Sequence, residues 1–137
     1  MKNILCIFLL FNFVSAASQE INWQKTADWK MYKVNDDSGL GFSVDSLRRL
    51  PFVQIESDSI HNFIKLAKIW PKEKTSIWMG AYYTTCQLDG VIRKIDISVY
   101  GGFFYDELTH SYYQVPSYLR NEWMSWLSSL KGRVNEK

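Results

Sequence analysis

Ile77-Trp78-Met79-Gly80-Ala81-Tyr82-Tyr83-Thr84-Thr85-Cys86-Gln87-Leu88-Asp89-Gly90-Val91-Ile92-Arg93-Lys94-Ile95-Asp96-Ile97-Ser98-Val99-Tyr100 is the stretch on which the fold turns. Two strand-like segments, 77–88 and 91–100, flank Asp89-Gly90. That pair suits a two-residue type I′ turn, whose central residues both need positive φ. Such a turn leaves one register: Leu88 opposite Val91, Cys86 opposite Arg93, Thr84 opposite Ile95, Tyr82 opposite Ile97 and Gly80 opposite Val99. Trp78, Tyr82, Leu88, Val91, Ile95, Ile97 and Val99 then share one face. Met79, Ala81, Tyr83, Thr85, Gln87, Ile92, Lys94, Asp96, Ser98 and Tyr100 share the other. One apolar and one mixed face predict an antiparallel sheet covered on a single side, and a one-residue slip would undo the segregation.

Downstream, Gly101-Gly102 breaks the strand and 103–109 reads as a loop. Residues 110–115 form a last strand, stopped by Pro116. Ser117 caps a final helix whose apolar stripe is Leu119, Trp123, Trp126, Leu127 and Leu130, with Gly132 as its terminator and 133–137 as a frayed tail. Upstream, 29–34 reads as a strand, followed by the turn signal Asn35-Asp36-Asp37-Ser38-Gly39. Leu40, Phe42 and Val44 suggest the second arm of a hairpin. Asp45 caps a single helical turn that Pro51 ends, and 52–55 forms a short strand. A helix then starts at Ser57 or Asp58 and reaches Trp70. Ile60, Phe63, Ile64, Ala67 and Trp70 fall on one face, with His61, Lys65 and Lys68 on the solvent side. The fold class is α+β: an antiparallel sheet, made of a hairpin plus a three-stranded meander, with two amphipathic helices packed on one face.

The N-terminus has the layout of a secretory signal peptide. Met1-Lys2-Asn3 is a short positive region, 4–14 is apolar apart from Asn12, and Ser15-Ala16-Ala17 offers small residues for cleavage. The run is too short for a membrane span. Cys6 sits inside the apolar run rather than after it, which argues against a lipoprotein cysteine. Loss of residues 1–17 leaves 120 of the 137 residues, one domain over 18–137. The expected address is the bacterial periplasm, or otherwise secretion. Beyond the leader Cys86 is the single cysteine, so no intrachain disulfide forms and the apolar core must carry stability. In a strand such a cysteine is usually a packed hydrophobe.

Charge and motifs exclude more than they assign. Loss of Lys2 takes the net charge from +2 to +1, which leaves no electrostatic footprint for nucleic acid. The lysines in 65–68 and 72–74 read as solvated faces. No nucleophile elbow is present. One cysteine and two separated histidines do not build a usual zinc site, and Asp36-Asp37 lacks the spacing of a calcium loop. No cofactor is implied. Glu107 and His110, with Asp106 adjacent, are the only acid–base arrangement, and they define the reading as a small hydrolase.

Aromatic residues make up 16% of the chain, and all six tryptophans lie beyond the leader. That is more than one small apolar face accommodates, although filling the core is the plainest use for many of them. The surplus points to recognition, since rigid aromatic rings make good contact anchors. Phe103, Phe104, Tyr105, Asp106 and Glu107 are the expected partner contacts, with Tyr100, Tyr83 and Arg93 nearby. The leading expectation is an exported inhibitor or immunity-type protein that neutralises a toxin or hydrolase by protein–protein contact. A module for glycan or cell-wall fragments is the alternative, and a structural envelope subunit is a further one. N-terminal sequencing of the exported protein should begin at Ser18; an intact Met1 on protein held in the cytosol overturns the leader assignment.

Overall fold

The computed structural model describes residues 21–35, 42–71 and 81–137. The leader, the turn at 36–41 and the start of the long strand at 77–80 lie outside the described residues. The strands are β1 (Ala27–Tyr32), β2 (Phe52–Ile55), β3 (Lys68–Trp70), β4 (Ala81–Leu88), β5 (Val91–Ser98), β6 (Phe103–Asp106) and β7 (Ser111–Gln114). The helices are α1 (Val44–Leu47), α2 (Ser57–Ile64) and α3 (Arg120–Asn135), with 3-10 turns at Trp23–Lys25 and Ser117–Leu119. All seven strands form one antiparallel sheet in the order β2-β1-β4-β5-β6-β7-β3. The fold is α+β, as the patterning implies.

The central hairpin has the register set by its turn. Leu88 pairs with Val91, Cys86 with Arg93, Thr84 with Ile95 and Tyr82 with Ile97. Asp89 and Gly90 have φ of 51° and 76°, the left-handed pair that a type I′ turn requires. Thr84, Cys86, Ile95 and Ile97 therefore share a face with Trp29, Met31, Val53 and Ile55 of the flanking strands. Both longer helices cover that face. Ile60 and Ile64 of α2, and Trp123, Leu127, Leu130 and Val134 of α3, complete the main core. Trp23 lies edge-on to Phe104 and Tyr113 within it, with centroids 5.0 and 4.9 Å away.

Four local expectations change. The helix from Ser57 stops at Ile64, and Lys68–Trp70 becomes edge strand β3 against β7. Pro71 disfavours the α region at Trp70, and pairing with β7 supplies the hydrogen bonds that the helix gives up. Residues 103–106 are a strand rather than a loop. Gly101 and Gly102, at φ of 77° and 73°, turn the chain back so that β6 pairs with β5 and the meander has four strands. Val44 belongs to α1, whose cap is Ser43, its side chain accepting from the Ser46 N–H. The strand β1 pairs instead with β2 and β4. Finally, α3 continues through Gly132 to Asn135, because Val134 is buried in the core and rewards the extra turn.

The second face of the sheet is also largely covered. Leu47 of α1 packs with Tyr32 and Tyr83 in a smaller cluster, edged by Val34, Phe42 and Leu50. Thr85, Lys94, Asp96 and Ser98 of this face are buried too.

Alternation along β6 sends Phe104 to the main core and Phe103 to the second face. Phe104 is only 1% exposed and Phe103 is half-buried. Phe104→Ala should lower unfolding free energy by about 3–5 kcal/mol and Phe103→Ala by about 1 kcal/mol. Urea denaturation of the two variants checks this, and equal midpoints would place both rings in the same environment.

Candidate functional site

Pairing across five neighbouring strands sets Tyr83, Asp96, Tyr105, Tyr112 and Trp70 in one continuous row on the second face. The row passes from a sealed end to an accessible one. Tyr83 and Asp96 are buried, whereas Tyr105, Tyr112 and Trp70 are half-buried. The Tyr105 and Tyr112 rings lie 4.7 Å apart and tilt by 41°. Phe103 meets Trp70 edge to face at 5.3 Å. Tyr100, 56% exposed, follows the end of β5, and Leu108 projects from the turn between β6 and β7.

A charged cluster adjoins the row. Lys94 Nζ donates to Glu107 Oε1 at 2.8 Å and lies 3.5 Å from Asp96 Oδ1. It also sits 5.5 Å from the centroid of the Tyr83 ring, a cation–π contact. The Glu107 N–H donates to the Lys94 carbonyl at 3.2 Å, which ties the turn to β5. Asp96 Oδ1 accepts no hydrogen bond among the described residues. Burial pushes the Asp96 carboxyl from 3.8 up to about 6, partly opposed by the Lys94 charge.

Of the expected contacts, Tyr100, Phe103, Tyr105 and Glu107 reach the surface. Phe104, Asp106, Tyr83 and Arg93 do not. Asp106 is fully buried on the helix-covered face. Its Oδ2 accepts from Arg93 Nη2 at 2.6 Å and from Thr109 Oγ1 at 2.6 Å, and its Oδ1 accepts from Arg93 Nε and the Leu108 N–H, both at 3.3 Å. The hydrogen bond to Asp106 raises the Arg93 pKa. This pair is scaffold: it braces β5 against β6 and shapes the turn at 107–110. The expectation that these four side chains offer contact area is corrected by the strand alternation that turns them inward and by the cover α1 provides.

Glu107 and His110 also part company. Glu107 engages Lys94, whereas the exposed His110 receives or donates at Nδ1 with the Tyr105 hydroxyl, 3.0 Å away. His61 is not merely a solvated helix residue. Its Nε2 lies 2.9 Å from the Thr26 carbonyl and 3.1 Å from Thr26 Oγ1, which fastens α2 to the turn before β1. Cys86 is sealed in the core, and burial pushes its thiol up to about 12. It is thus unreactive at neutral pH. Among the described residues no cluster of three His, Cys, Asp or Glu side chains gathers, and no helix is long and apolar enough to cross a membrane.

Sequence reasoning missed Lys94, Asp96, Tyr112 and Trp70 as site residues. The turn register already placed Lys94, Asp96 and Tyr83 on one face. The period-two pattern of Phe103-Phe104-Tyr105-Asp106 would have extended that face by another strand.

Because the fold favours the protonated Asp96 carboxyl, the native state holds more protons than the unfolded chain between pH 3.8 and about 6. The contribution of Asp96 to stability is therefore best at the acid end of this window and falls as pH rises. The melting-temperature difference between the parent and Asp96→Asn should shift against the parent as pH increases across the window. A flat difference would show that Asp96 titrates normally. Comparison with protein-family models, with curated proteins and with solved structures finds no match.

Proposed function

We propose that the chain is an exported binding protein of inhibitor or immunity type, which recognises another protein through the accessible end of the aromatic row. The observation that carries this reading is the joint placement of Phe103, Tyr105, Tyr112 and Trp70. They are half-buried and stand on three adjacent hydrogen-bonded strands, β6, β7 and β3. Their backbone is already ordered, so a partner would immobilise few rotamers on docking. Aromatic anchors of this kind supply much of the energy in protein interfaces. Exposed Tyr100 and Leu108 extend the apolar area. Glu107, more than a third exposed at its side chain, adds a charge at the rim that steers encounter and selects partners.

Sugar recognition is the second reading. It is favoured by the Glu107 carboxylate, close enough to help raise the Tyr105 pKa after burial and Tyr112. The 41° tilt between Tyr105 and Tyr112 favours the protein partner, because two rings at that angle do not make one flat platform for a saccharide chain.

Photo-crosslinking in the envelope of the producing cell separates the readings. A benzophenone amino acid at Tyr105 or Tyr112 should yield one discrete protein adduct. The same group at Leu66, an exposed residue just after α2, should not. Trp70→Ala should weaken the captured complex by about tenfold or more. Absence of an adduct from 105 and 112 with normal export, or an adduct shared with Leu66, overturns the protein-binding reading. Saturable quenching of aromatic fluorescence by chitooligosaccharides or muropeptides would move the surface to the sugar class.

A further inference from the structure

The second face carries a small polar recess toward the β1 end of the sheet, away from the accessible rings. Pairing sets Lys30 of β1 beside Thr85 of β4, and Gln87 of β4 beside Ile92 of β5, all on this face. Arg48, the residue that ends α1, contributes a further wall. The recess has a volume of about 40 Å³. A single water needs about 10–15 Å³ by this measure. The space therefore suits two or three waters or one small charged group, and not a whole ligand.

The walls favour an anion. The buried hydroxyls of Tyr32 and Thr85 bond to one another at 2.8 Å. Two hydroxyls own two protons, and one of these makes that bond. The other finds no acceptor among the described residues, and a buried O–H is costly without one. Arg48 makes no ion pair among the described residues, so its fork of N–H donors is uncommitted. Lys30 Nζ has one counter-charge, Asp28 Oδ2 at 3.4 Å, and the other oxygen of that carboxylate accepts from Gln54 Nε2 at 3.1 Å. A bulge brings Asp28 there. The pairing of β1 with β4 shifts between Ala27 and Lys30, and Asp28 takes a φ of 51°, which aspartate tolerates better than most residues. Lys30 and Arg48 against Asp28 leave these walls one positive charge in excess. That balance suits a group with a single negative charge and works against a dianion.

We infer that this recess binds the carboxylate of an organic acid. Arg48 and Lys30 supply the positive charge, and the spare proton of the Tyr32–Thr85 pair is a third donor. An arginine fork matches the two oxygens of a carboxylate. Half-buried Ile92 offers an apolar wall to the carbon that bears the group. The volume admits the head group only, so the rest of the acid extends into solvent past exposed Gln87 and Arg48. No residue of the recess belongs to the aromatic row. The site is independent of the protein-binding reading and stands if that reading fails.

NMR titration of the folded chain with sodium acetate, exchanged for chloride at constant ionic strength, tests the inference. Acetate should saturably shift the backbone amides of Lys30 and Thr85 and the Arg48 Nε–H, with a dissociation constant in the millimolar range. Arg48→Ala and Lys30→Met should each weaken binding about tenfold or more. Arg48 is exposed and Lys30 half-buried, and an amide spectrum unchanged elsewhere confirms that both variants are folded. Arg49→Ala removes an exposed arginine that does not border the recess and should leave binding unchanged. Acetamide, which has the same shape and no charge, should give no saturable shift, and sulfate should bind about tenfold more weakly than acetate or worse. N-acetylglycine separates the sources of the carboxylate, and either order supports the site. Binding tighter than that of acetate assigns a peptide C-terminus, and equal or weaker binding assigns a small free acid. The absence of saturable shifts with both acids overturns the inference. So does binding that survives Arg48→Ala and Lys30→Met, that Arg49→Ala weakens equally, or that acetamide or sulfate matches.

Discussion

The left-handed backbone at Asp89 and Gly90 is the constraint from which the rest follows. A two-residue turn admits one pairing of β4 with β5, and that pairing decides which side of the sheet each residue occupies. Arg93, Ile95 and Ile97 are sent toward the helices, while Lys94, Asp96 and Ser98 are sent the other way. Because β6 and β7 are laid down against β5 in turn, the same choice propagates outward. Phe104 and Asp106 inherit the helix side, and Phe103 and Tyr105 inherit the other.

The register also forces charge into the interior on both sides of the sheet. On the helix side the Arg93 guanidinium and the Asp106 carboxylate neutralise one another through two hydrogen bonds, and Thr109 and the Leu108 N–H occupy the remaining lone pairs. A pair satisfied to that degree is tolerable in a core, whereas removal of one partner leaves an expensive isolated charge. On the other side Lys94 is shared between Glu107 and Asp96, and the compensation is less complete. The two clusters differ accordingly in character. The first fixes the β6–β7 turn, and the second holds a carboxyl whose protonation lies within reach of mildly acidic conditions.

Much of this architecture is legible in the chain, and the limits of that legibility are physical. Strong local signals carried through: Asp89-Gly90 and the register it sets, the short strand Phe52–Ile55 and the stripe of Trp123, Leu127 and Leu130; the expected cover on a single side did not, since Arg93 to Ser98 are buried on both faces of β5. Where local pattern and long-range pairing competed, pairing won. Residues 68–70 continue a helical period, yet the open side of β7 offers them backbone partners and Pro71 already disfavours a helix there. Two consecutive glycines look like the end of order, but here they are the means of reversing direction between β5 and β6. The same error divided the contact residues. Read as a loop, 103–107 exposes every side chain; folded as a strand, it exposes alternate ones, so Phe103, Tyr105 and Glu107 stay accessible while Phe104 and Asp106 are withdrawn. Tyr83 and Arg93 were legible as facing opposite sides. Their burial was not, because it depends on α1 and on a carboxylate thirteen residues away.

The pairing of Arg93 with Asp106 bears on how evolutionary records of this chain are to be interpreted. Selection would hold both positions fixed for the sake of folding, and an arginine and an aspartate that never vary are commonly taken to mark chemistry. In descendants of this fold such invariance would report architecture rather than chemistry, because the buried pair braces β5 against β6.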